Sequence, residues 1–278
     1  MSDRPFVSNL NENSIPVPSV RRVGVVNWIG VWTLYEKEVR RFLKVITQTV
    51  FAPVVTSLLF LAIFTLALQR SIDIGNGISY SEFLAPGLVV MAMMQNAFAN
   101  TSSSIMISKV QGNIVDVLMP PLGPGELLAA FALGGVTRGL IVGVSTVITM
   151  SLAVGFHAAH WPVAIFFAVS ASLAMALIGI AAGMWAEKFD HLSSVTNFVI
   201  QPLAFLSGTF YSIDRLPGIW NQIAHLNPFF YMIDGVRYGL IGWSDSDPLI
   251  GAAVLTAMNA ILMGLCYMLL KRGYKIRS

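Results

Sequence analysis

Seven uncharged polar residues crowd the ten-residue stretch QNAFANTSSS, from Gln95 to Ser104, inside an otherwise apolar run. Asn96, Asn100 and Ser104 recur at steps of four, so a helix would place them on one face. Amides and hydroxyls in such a row can hydrogen-bond a polar solute along a path. They can equally bind one helix to another where no water competes. The residues alone leave both readings open. A second mixed stretch sets Asn197, Gln201, Ser207 and Thr209 among Phe198, Phe205, Phe210 and Tyr211. Polar groups between aromatic rings suit an amphiphile. Gln95, Asn96, Asn100, Phe198, Gln201, Phe205 and Tyr211 are therefore the candidate lining of a pathway.

Motifs for covalent or hydrolytic chemistry are missing. The chain has no GxxxxGK[ST] phosphate loop, no HExxH and no paired cysteines, since Cys266 stands alone. His157 and His160 form HAAH ahead of Trp161 and Pro162, which reads as an interfacial turn and not a metal site. The apolar runs hold no Asp or Glu. A proton- or sodium-coupled carrier usually keeps a carboxylate at mid-membrane to bind and release its cation. Arg138 is the one charge inside a run, and at a bilayer centre it would cost about 2.5–3.5 kcal/mol. Either it snorkels to the surface, or it turns inward to a carboxylate such as Glu126 or Glu187. Its expected role is structural or gating. Asp234 and Arg237 stand three apart, the spacing of an ion pair on one helical face.

The elements that must position these groups are membrane helices. Of 278 residues, 55% are hydrophobic and only 11% charged. Soluble domains carry roughly 25% charged residues, so this apolar surface belongs in lipid. About 20 apolar residues cross the hydrocarbon layer. The long uncharged runs predict six spans, near 47–68, 83–107, 127–155, 162–186, 194–213 and 249–270, in an all-α membrane protein. With six spans both termini share a side. Fourteen of the seventeen Lys and Arg fall on that side, which the positive-inside rule makes cytoplasmic. The scattered basic residues form no nucleic-acid patch. Residues 1–25 are polar and lack the apolar core of a signal peptide, so a disordered cytosolic tail is expected. Residues 26–278 form one transmembrane domain.

Three segments between the spans stand out. Over 27–44, Trp28, Val31, Trp32, Tyr35, Val39, Phe42 and Leu43 recur at helical steps with charges between them. This predicts an amphipathic helix lying on the membrane surface. After the second span, Asn113, Ile114, Val115, Asp116, Val117, Leu118 and Met119 predict a short helix, closed by Pro120, Pro121 and Pro124. Apolar residues on a short cytosolic helix suit docking to a partner. Between the fifth and sixth spans, 214–247 is too aromatic for a solvated loop. It predicts two short re-entrant helices joined near Asn227 and Pro228, which dip into the outer leaflet.

Taken together, YEKEVRRF, GNIVDVLMPPL, GGVTRGL and LSGTFYSIDRLPGIWNQIAHLNPFFYMIDGVRYGLIG resemble the permease subunits of type-2 ABC (ABC-2) exporters, most closely their YadH-like branch. The likeness covers nearly all of the chain after Arg21. It implies a homodimer of permeases in the inner membrane, each half driven by a separate cytosolic ATPase subunit, two copies in all. ATP and Mg would then be bound by that partner and no cofactor by this chain. It makes 27–44 the connecting helix, Asn113–Met119 the coupling helix that seats in the ATPase, and 214–247 the re-entrant outer helices. The first, second and fifth spans would face the path, and the cargo would be a lipid, glycan or drug. The alternative is a stand-alone secondary carrier or channel, against which the missing mid-membrane carboxylate argues. A membrane-embedded enzyme would need a catalytic cluster, and none is visible.

Overall fold

The computed structural model describes residues 24, 26–68, 77–156 and 158–275. The predicted tail, apart from Gly24, lies outside them, as do His157 of the HAAH pair, Arg70 and Arg277. Among the described residues the chain is helical without strands. Its elements are α1 (Trp28–Leu43), a π-helical turn (Thr47–Phe51) leading into α2 (Ala52–Leu68), α3 (Tyr80–Val110), α4 (Ile114–Leu118), α5 (Pro124–Val154) and α6 (Trp161–Trp185). There follow α7 (Phe189–Val195), a second π-helical turn (Thr196–Ile200), α8 (Gln201–Leu206), α9 (Ile219–Leu226), α10 (Pro228–Ile241) and α11 (Pro248–Arg272).

Among the described residues, five helices are long and apolar enough to cross a membrane: Thr47–Ala67, Tyr80–Val110, Pro124–Val154, Trp161–Trp185 and Pro248–Arg272. They match five of the six predicted spans. The expected span at 194–213 takes a different form. Its helical run begins earlier, at Phe189, and stops at Leu206. Eighteen residues reach about 27 Å, just short of the hydrocarbon thickness. Two local features account for this. Pro202 has no amide to donate, and the π-helical turn just before it absorbs the break in the hydrogen-bond ladder. Then Gly208, at φ +75°, turns the chain where a side chain would be strained.

α3 is the central post, enclosed by α2, α5, α6 and α10. It starts with a capping box, in which Ser79 Oγ accepts the Glu82 amide and Glu82 accepts the Ser79 amide. Close packing around it uses small residues, because lipid gives no hydrophobic incentive for helices to associate. A Cβ on Gly135 of α5 would lie 2.7 Å from Ala176 of α6 and 2.8 Å from Thr101 of α3. A Cβ on the neighbouring Gly134 would strike Glu38 of α1 at 2.8 Å, so α1 rests directly on the α5 backbone. By contrast, α2 and α11 leave most of their apolar surface open, as suits helices bathed in lipid.

Candidate functional site

At the end of the bundle that carries α4, a charged network holds α1 against α3 and α5. α1 buries Val31, Leu34, Glu38 and Phe42, a stripe at steps of three and four. Glu38 is fully enclosed. Its Oε1 accepts Ser104 Oγ at 2.6 Å and its Oε2 accepts Arg41 Nη2 at 3.0 Å. The same Nη2 donates to the Asn100 carbonyl at 2.7 Å and to Asn100 Oδ1 at 3.1 Å, while Nη1 reaches Ser103. One turn away, Arg138 Nη2 and Nε donate to Asn96 Oδ1 at 3.0 and 3.3 Å. Each member of the Asn96, Asn100, Ser104 row thus holds one acidic or basic side chain from another helix. Arg138 meets neither of its expected carboxylates. Glu126 accepts the amides of Asn27 and Gly123, which ties the start of α1 to the start of α5. Glu187 accepts Lys275, whose hydrogen bond holds the Glu187 carboxyl below its ordinary range.

Sequence reasoning missed Glu38 and Arg41 because it gave the apolar residues of 27–44 to the membrane and all the charges to the opposite, water-facing side. Trp28 and Trp32 are in fact 73% and 63% exposed, and the carboxylate points inward. The signal was present: Glu38 falls in step with Val31, Leu34 and Phe42. The polar row on α3 also required partners of some kind.

α4 lies below this network and forms one wall of a cleft of about 900 Å³ whose other wall is the start of α1. Asn113, Asp116, Val117, Pro120, Pro121 and Leu122 line one side, and Trp28, Ile29, Thr33 and Lys37 the other. Val117 is buried in a cluster with Leu34, Leu127 and Leu128, against which Ile114 and Leu118 also pack. Val115 and Met119, at 56% and 75% exposure, form the open face.

At the opposite end, α9 and α10 meet at Asn227, as the sequence predicts. Asp234 and Arg237 attract one another at longer range, but they do not form the expected contact ion pair. Asp234 accepts the backbone amides of Asp245 and Ser246 at 2.8 and 3.0 Å. Arg237 is fully buried, donates to the Gly208 carbonyl at 2.7 Å and lies 4.0 Å from the Phe83 ring. Asp245 in turn accepts Ser212 Oγ and the Ile213 amide, and burial pushes its carboxyl above the usual range. The helical spacing put Asp234 and Arg237 on neighbouring turns, but the non-helical stretch after α8 and the loop after α10 each claim one of them. Exchanging the two, Asp234→Arg with Arg237→Asp, should therefore give no rescue. The double variant should melt no higher than the worse single variant in detergent, and recovery above it would restore the ion pair.

The candidate pathway residues divide. Gln95 and Asn96 line a cleft of about 460 Å³ with Ser193, Thr196 and Asn197, between α3 and the α7 run. Asn100 is enclosed behind Arg41. Phe198 and Phe205 are exposed on the outer surface, 80% and 41%, and Gln201 is half-buried. Tyr211 packs over Ile213, Ala224 and Phe230. Among the described residues no group of three His, Cys, Asp or Glu could hold a metal ion.

A bundle of apolar helices long enough to cross a membrane, tied together by buried polar contacts, is the architecture of a polytopic membrane protein. The chain belongs to the ABC-2 type transporter family, whose pattern matches residues 30–241. It is 35% identical over 251 residues to the inner membrane transport permease YadH of Escherichia coli strain K12, covering 90% of this chain and 98% of that one. It is also 26% identical to nodulation protein J of Neorhizobium galegae, over 81% of this chain and 85% of the relative. For nodulation protein J of Rhizobium leguminosarum bv. viciae the identity is 25%, over 79% and 84%.

Proposed function

We propose that the chain is the permease subunit of an ATP-driven exporter in the inner membrane, working as a homodimer with two copies of a separate cytosolic ATPase. In this reading α2, α3, α5, α6, the Phe189–Leu206 run and α11 cross the bilayer, with both termini in the cytoplasm. α1 lies along the inner surface, and α9 and α10 dip into the outer leaflet. The cargo is a hydrophobic or amphiphilic molecule, a lipid, glycan or drug. ATP and Mg act on the partner, and this chain is not itself an enzyme.

The observation that carries the proposal is α4. It is a five-residue helix with Val115 and Met119 exposed, stopped by three prolines within six residues and seated beside an open cleft. An isolated helix of that length is not stable in water, so packing holds it. Its free apolar face then has one economical use, which is to be covered by another protein. A push there would reach α3 through the chain, and α1 and α5 through the Glu38 and Glu126 contacts, as a rigid-body displacement.

Affinity purification of the tagged chain in mild detergent should recover an ATPase carrying a phosphate loop, and ATP hydrolysis should appear only with that subunit. Transport by the purified chain in vesicles under an ion gradient, without ATP, would favour the stand-alone carrier.

A further inference from the structure

We infer that the outward stripe of α1 binds the phosphate of an anionic lipid headgroup. This rests on the proposed placement of α1 along the membrane surface. Thr33, Lys37, Arg40 and Lys44 follow one another at steps of four, three and four and so share a stripe of the helix. Together with Glu36 and Arg41 they line a groove of about 510 Å³.

The charges in this groove do not balance. Glu36 is held by Arg40 at 2.5 Å. Glu38, behind the groove, is held by Arg41 at 3.0 Å. Lys37 and Lys44 are exposed and make no ion pair among the described residues. The two lysines therefore stand about 10 Å apart along the helix axis, with Arg40 between them. Arg40 could exchange Glu36 for a phosphate at little cost, because an exposed ion pair contributes at most about 1 kcal/mol. Phosphate oxygens are acceptors only, and three cationic donors match them.

The adjoining stripe argues for a lipid as the source of the phosphate. Trp28, Trp32 and Leu43 are exposed there, and indole rings settle at headgroup depth. The π-helical turn and α2 follow directly, with apolar surface open to acyl chains. A lipid could thus meet aromatic rings with its glycerol region while its phosphate reaches the lysines.

The test titrates a fluorescent phosphatidylglycerol into the full chain in neutral detergent, with phosphatidylcholine as competitor. Lys37→Gln with Lys44→Gln should weaken binding on the order of 25-fold, about fivefold for each charge removed near a membrane surface. Both residues are exposed, so the fold should survive, as a single size-exclusion peak would verify. Equal binding by wild type and the double variant would overturn the inference. Displacement of the probe by inorganic phosphate as readily as by unlabelled phosphatidylglycerol would overturn the lipid assignment. A separate measurement isolates the underlying placement, namely quenching of Trp28 and Trp32 by brominated phosphatidylcholine, read against Trp28→Phe with Trp32→Phe. Quenching with unchanged phosphatidylglycerol binding in the lysine variant sinks the phosphate site alone. Absence of quenching sinks the position of α1.

Discussion

Arg41→Ala should destabilise the protein more than Glu38→Ala, although Arg41 is the more exposed of the two. The order follows from what each change leaves behind. Without Arg41, the Glu38 carboxyl, which lies buried in the intact protein, keeps the Ser104 hydroxyl as its remaining partner. Removing one member of a buried ion pair costs about 3–5 kcal/mol, because the surviving charge is neither solvated nor paired. Without Glu38, the Arg41 side chain keeps 27% of its surface in solvent and still donates to Asn100 and Ser103. Screening then reduces the loss to roughly 1–3 kcal/mol. In thermal unfolding in detergent, a difference of about 2 kcal/mol corresponds to roughly 4–8 °C between the variants. The double variant should fall short of the sum of the singles, since neither charge is then stranded. If Glu38→Ala proved the more damaging, or the two effects simply added, the side chains would not form one unit.

This network shows where reading the sequence stopped. The spans were legible because some 20 apolar residues without charge have few alternatives to a membrane. The punctuation of α4 was legible because proline leaves the backbone little choice. The same applies to the joint at Asn227, whose side chain accepts the Phe229 amide and donates to the Leu203 carbonyl. Partner choice was a different matter. Asp234 and Arg237 have the spacing of a pair, yet each answers to a backbone group from a distant segment. Arg138 has acids within a plausible reach along the chain, yet an amide two helices away takes it. Helical spacing states which residues can touch on one element. It cannot state what another element brings, and in a bundle held by polar contacts that decides the outcome. The broken span at Phe189–Leu206 is the same lesson in the backbone. Pro202 was visible, but the π-helical turn just before it, at Thr196–Ile200, was not read from the sequence.

Val115→Asp and Met119→Asp should release the ATPase partner while leaving the bundle intact, whereas Val117→Asp should damage the bundle itself. Apolar character alone makes these residues equivalent, and burial separates them. Val117 is 6% exposed among Leu34, Leu127 and Leu128, so a carboxylate there would be buried without a partner. Val115 and Met119 touch little within the chain, and their replacement should leave the melting temperature nearly unchanged. If a partner covers them, each change removes about 1.5–3 kcal/mol of apolar burial. It also adds a charge beside Asp116 that must be desolvated on docking. The combined effect is a loss of affinity of at least tenfold, and on the order of 100-fold if the residue sits at the centre of the contact. Recovery of the ATPase with the tagged permease should fall accordingly, as should hydrolysis of ATP by the reconstituted complex. Alanine at either position should weaken recovery by a smaller factor, because it removes burial without adding charge. Undiminished recovery with both aspartates present would mean that the open face of α4 is not where the partner seats. The proposal that force enters the bundle at this helix would then fail, while the family and the fold would stand.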